Sequence, residues 1–70
     1  MVTIYMPLLN EGTDVWRPVR ARHVSDDLYC IEQEAVDDEE WAFAPGSTVI
    51  CERKTFTDGY QGLAAVKPAS

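Results

Sequence analysis

No stretch of this chain approaches the roughly 20 consecutive apolar residues that a membrane-crossing helix needs, which excludes such a span. The opening residues Met1 to Pro7 lack a basic region ahead of an apolar run, so no secretory leader is expected and a cytoplasmic address follows by default. In that reducing setting Cys30 and Cys51 are expected to be free thiols. Metal ligands are scarce too. Two Cys and one His, with no C-x-x-C pair, do not supply the four ligands of a zinc site. The acidic run Asp37-Asp38-Glu39-Glu40 lacks the alternating oxygens and central Gly of a calcium loop. No metal or cofactor is therefore expected.

Positive charge is also in short supply. Six Lys and Arg against twelve Asp and Glu give a formal net charge of −6. That balance opposes binding to a phosphate backbone or an anionic membrane, and it favours solubility and cationic partners. Arg17, Arg20, Arg22, Arg53 and Lys54 could form only a local basic stripe. Length is the last shortage. Seventy residues hold one small domain, residues 1–70, with a thin core, and a two-domain enzyme is excluded.

What is present is β-sheet chemistry. Turn clusters at Asn10-Glu11-Gly12-Thr13-Asp14, Ser25-Asp26-Asp27, Pro45-Gly46-Ser47 and Asp58-Gly59 separate runs rich in β-branched and aromatic residues. The spacing predicts antiparallel strands over 2–9, 14–24, 28–34, 47–57 and 60–67. No apolar period of 3.6 persists, so no helix beyond about two turns is expected. One short helical turn near Asp38 to Trp41, capped by Asp37, is the only candidate. Five short strands wound as a meander are expected to curl into a small SH3-like barrel, which limits exposed strand edges. An OB-like partial barrel ranks second, because it usually needs a longer chain and a helix between its third and fourth strands.

Register can be argued in two places. In the second strand Val15, Val19 and Ala21 form the inward face, and Trp16 falls on the opposite side beside Arg20 and Arg22. A three-residue loop at Ser25-Asp26-Asp27, with an Asp in the left-handed conformation, sets Val24 against Leu28, Ala21 against Ile31 and Arg20 against Glu32. Cys30 then points outward, while Cys51 shares the inward face with Val49. Asp58-Gly59 is expected to make a two-residue type I′ turn, with Gly62 at a bulge and Phe56 near Gln61 or Gly62.

The segments Leu9-Asn10-Glu11-Gly12-Thr13-Asp14-Val15-Trp16-Arg17-Pro18-Val19, Trp41-Ala42-Phe43-Ala44-Pro45-Gly46-Ser47-Thr48-Val49, Asp58-Gly59 and Leu63-Ala64-Ala65 resemble, in their order, a set of short uncharacterised bacterial proteins. The resemblance implies a free-standing small domain and carries over no activity and no functional residue.

Candidate function rests on the rings and the charges. His23, Ser25 and Asp26 lie within four residues at a hairpin end, with no nucleophile elbow or oxyanion hole, so a triad is not expected and His23 closes the core rim beside Tyr29. Trp16, Tyr29, Trp41, Phe43, Phe56 and Tyr60 are many large rings for so small a core. Either Trp16 and Trp41 plug the two open ends of the barrel, or they present a binding surface. The candidate partner-binding residues are Trp16, Arg20, Arg22, Trp41, Asp37, Asp38, Glu39 and Glu40, suited to a basic or proline-rich segment of a partner protein. The acidic run is expected to be solvated and dispensable for folding. The function expected is that of an interaction or structural module rather than an enzyme. The alternative is a small regulatory or ligand-binding protein acting on an enzyme partner.

Overall fold

Alternation of apolar and polar residues decides which side of each strand is buried. In the computed structural model, which describes residues 1–12, 15–35 and 39–69, the strands are β1 (Val2–Leu9), β2 (Trp16–Ser25), β3 (Leu28–Ile31), β4 (Glu40–Trp41), β5 (Thr48–Thr55) and β6 (Gln61–Pro68). The described residues are all-β and contain no helix. The expected second-strand start at Asp14 lies outside them, as do Asp37 and Asp38 of the expected helical turn. Where that turn was expected, Glu40 and Trp41 instead form β4, pairing with Leu9 and Leu8 of β1. The Ala42 amide also donates to the Pro7 carbonyl at 3.0 Å. Extended pairing lays the Trp41 ring against the core, which a helical turn with a mostly acidic surface would not reward.

Five strands close into a ring in the order β2-β3-β5-β6-β1, with β1 returning to β2. Each consecutive pair is antiparallel, and the closing pair β6–β1 is parallel, through Tyr5 and Ala64. The parallel closure follows from counting. In a meander of five alternating strands the first and last run the same way.

The inward face carries Ile4, Met6, Val19, Ala21, Ile31, Val49, Cys51 and Ala65, all buried, with Leu8, Tyr29, Trp41, Phe43 and Leu63 packed around them. Val19, Ala21 and Cys51 are where alternation places them, and Val15 is half-buried. Both thiols are free. Burial pushes the Cys51 thiol up to about 11, with the Asp27 charge adding to it, so the inert thiol form dominates at neutral pH. Cys30 corrects its outward assignment. It is 9% exposed, because the segment after Phe43 folds back over that side of β3. The Gly46 amide donates to the Ile31 carbonyl at 2.9 Å, and the Cys30 Sγ lies 3.7 Å from the Gly46 carbonyl.

The β2–β3 hairpin keeps Ala21 opposite Ile31, by a different route from the one expected. Ser25 pairs with Leu28 across a two-residue turn, and the register shift between His23 and Ser25 leaves Val24 as the extra residue. Asp26 takes the left-handed conformation at φ 45°. Loop and bulge together supply the odd residue assigned to the loop alone.

The β5–β6 turn, by contrast, is one residue longer than expected. The Gly59 amide donates to the Phe56 carbonyl at 2.9 Å, and the Phe56 amide to the Tyr60 carbonyl at 2.7 Å. Thr57, Asp58 and Gly59 therefore form a three-residue loop whose last residue alone has positive φ, at 86°. Phe56 consequently faces Tyr60, while Thr55 pairs with Gln61 and Lys54 with Gly62. The strand irregularity lies between Ile50 and Cys51, not at Gly62. Gly59→Val is expected to cost about 1–2 kcal/mol, because a β-branched residue resists positive φ. For a domain of this size that is a drop of roughly 4–16 °C in Tm. An unchanged thermal melt would contradict the turn.

Candidate functional site

The outer face of β1 and β2 carries what the inner face rejects. Tyr5 alternates with the buried Ile4 and Met6, and register sets Tyr5 opposite Pro18 and Pro7 opposite Trp16. Across the parallel pairing, Tyr5 lies beside β6, where Gly62 offers no side chain. A Cβ built there would stand 2.5 Å from Tyr5 Cε2 and 2.8 Å from Cδ2. The phenol ring thus occupies the space that any other residue at 62 would fill.

The β5–β6 hairpin adds two more rings. Tyr5 and Phe56 have centroids 4.9 Å apart, Tyr5 and Tyr60 5.8 Å in an edge contact, and Trp16 and Phe56 5.5 Å in an edge contact. Such tilted and edge-on pairs are the arrangements that ring quadrupoles favour. The ladder runs Tyr60–Tyr5–Phe56–Trp16. With Thr57 and Asp58 it lines an open groove of about 450 Å³. Tyr60 is 56% exposed. The Tyr5 phenol is held above its ordinary value, first by hydrogen bonding with Tyr60, then by burial and the Tyr60 and Asp58 charges, so it stays neutral at physiological pH. The Asp58 carboxylate accepts the Tyr60 amide at 3.1 Å. Lys54 Nζ stands 5.4 Å from the Trp16 ring centroid and 5.9 Å from that of Phe56.

Of the described residues expected to bind a partner, Trp16 alone lines this groove. Trp41 lies at the core side, its Nε1 donating to Glu39 Oε1 at 3.1 Å. The two tryptophans therefore do not share a surface. Arg22 lies 3.5 Å from Glu32 in an exposed pair of little energetic weight. Arg20 does lie opposite Glu32, whose amide donates to the Arg20 carbonyl at 3.0 Å, but the Glu32 carboxylate pairs diagonally with Arg22. Arg20 lines a separate depression with Glu32, Gln33, Glu34 and Pro45. Arg17 is drawn to Glu39, Arg22 to Glu32 and Lys54 over the rings, so these cations do not form a continuous basic stripe. His23 stacks at 5.0 Å from Tyr29 and contacts the Asp26 carbonyl at 2.8 Å. Among the described residues no group of three His, Cys, Asp or Glu side chains could hold a metal ion.

The acidic run is not simply a solvated loop. Asp37 and Asp38 lie outside the described residues, but Glu39 Oε1 accepts Arg17 Nε at 2.6 Å and Glu40 Oε2 accepts Asn10 Nδ2 at 2.6 Å. The Trp41 indole and then the Arg17 guanidinium hold the Glu39 carboxyl below its ordinary value. A lowered folded-state pKa adds stability that is present above the ordinary carboxylate range and is lost as pH falls through the folded value. The stability gap between wild type and Glu39→Gln is therefore expected to be open at pH 7 and to narrow as the pH falls below 4.5. Urea unfolding across that range checks it. A gap independent of pH would contradict the assignment.

Tyr5, Phe56, Thr57, Asp58 and Tyr60 line the groove without being among the binding residues expected from the sequence. The signal for Tyr5 was its place in the alternation of β1, on the side away from Ile4 and Met6. Comparison with known proteins adds no relative, since no family, no curated protein and no solved structure matches this chain.

Proposed function

We propose that this domain is an SH3-like interaction module that docks a proline-rich segment of a partner protein across the Tyr60–Tyr5–Phe56–Trp16 groove. The observation that carries the reading is the four-ring ladder on the outside of a ring of strands whose inner core is filled by other residues. A polyproline II segment needs little ordering on binding and repeats its ring every three residues, and aromatic-lined grooves accept it. The groove is open along its length, which suits a chain lying across it better than an enclosed small molecule. Thr57 and Asp58 at its edge offer oxygens to a ligand's donors. The consecutive meander order of the ring, with no helix among the described residues, supports the SH3-like assignment over a Greek-key OB-like one.

Calorimetric titration with a decaproline peptide tests the reading. Saturable binding is expected, with Tyr60→Ala weakening it about tenfold, which corresponds to about 1.4 kcal/mol. Tyr60 is largely exposed, so its loss leaves the fold in place. Absence of binding, or equal binding by wild type and Tyr60→Ala, would overturn the reading.

A further inference from the structure

We infer that the faces of Trp16 and Phe56 form a cation subsite at one end of the groove, where the chain's own Lys54 stands in the place of a Lys or Arg side chain of the partner segment. The inference deepens the docking reading and rests on it for its biological occupant. Its physical basis is separate. Lys54 Nζ lies 5.4 Å and 5.9 Å from the two ring centroids, within the distance of about 6 Å at which a ring quadrupole attracts a cation. Among the described residues no carboxylate pairs with Lys54, so no ion pair accounts for its position.

Local structure explains why a flexible side chain settles there. Lys54 pairs with Gly62 across the hairpin, and Phe56 follows two residues later, just past the end of β5. The two rings give the lysine stem apolar surface to lie along while its ammonium remains at the surface. The net charge of −6 and the Asp58 carboxylate at the groove edge favour an arriving cation over a neutral or anionic group. An incoming cation must displace Lys54, so the internal ammonium weakens binding of cationic segments while keeping the rings covered when no partner is present. A partner of this chemistry is a proline-rich segment with a Lys or Arg beside the prolines.

The test uses tetramethylammonium chloride as the probe, with sodium chloride at matched ionic strength as the control. It is read by nuclear magnetic resonance on the whole chain. Lys54→Met removes the charge and keeps an apolar stem, and Lys54→Gln provides a second variant of the same exposed position. In either variant the Trp16 and Phe56 ring resonances are expected to shift saturably, at probe concentrations several-fold lower than in wild type. Trp41 resonances should stay still and serve as the check on folding. Equal responses in wild type and variants, or no saturable shift in either variant, would overturn the inference. Decaproline binding without a tetramethylammonium response would sink the cation subsite and leave the docking reading intact. The reverse result would sink the docking reading alone.

Discussion

Ile4→Ala is expected to remove much of the stability of this domain. Ile4 is fully buried in β1, opposite Val19 of β2, and is among the largest side chains in the core. Truncating a buried Ile to Ala costs about 2–5 kcal/mol through lost transfer energy and the cavity left behind. A chain of this length holds only about 4–10 kcal/mol in total. The melting temperature should therefore fall by at least about 10 °C, and at the upper end of the range the domain would be largely unfolded at 37 °C. Thr3→Ala, one residue away on the exposed side, should change stability by no more than about 0.5 kcal/mol. Similar melts for the two variants, followed by circular dichroism, would mean that the inward face has been assigned to the wrong side of β1.

Gly62→Ala is expected to unseat Tyr5 and with it the groove. The added methyl would meet ring carbons at 2.5 Å and 2.8 Å, closer than any real contact allows. A tyrosine ring pivots about two torsions only, so it must leave its place rather than give by a few tenths of an ångström. It then loses its packing against Phe56 and Tyr60. Overpacking of this kind costs about 1–3 kcal/mol. Coupling separates this cause from a general intolerance of β6 to change. With Tyr5→Ala already in place the ring is gone, and Gly62→Ala should become nearly neutral. A cost for Gly62→Ala that is unchanged by Tyr5→Ala would contradict the close approach.

Alternation and turn chemistry made the inward face of β2 legible, along with the pairing of Ala21 with Ile31 and the positive φ at Gly59. These depend on neighbours in sequence and on strand parity, which local residues encode. What local residues do not encode is which distant segment covers a given face. Cys30 reads as outward by parity, and only the return of the chain at Gly46 buries it. Glu39 reads as one acid in a run of four, yet the pairing of Trp41 with Leu8 carries it to Arg17 and the Trp41 indole. For the groove, parity put Trp16 on the outside. Its ring partners come from β1 and from the β5–β6 hairpin, and the parallel closure of β1 on β6 that gathers them has no local signature.

The two tryptophans offer the most direct measurement. Their indole N–H resonances report two different environments, the groove for Trp16 and the Glu39 contact beside the core for Trp41. Titrating decaproline into wild-type protein is expected to move the Trp16 indole resonance saturably, together with ring signals of Tyr5, Phe56 and Tyr60, and to leave Trp41 in place. Movement of Trp41 with Trp16 unmoved would contradict the account.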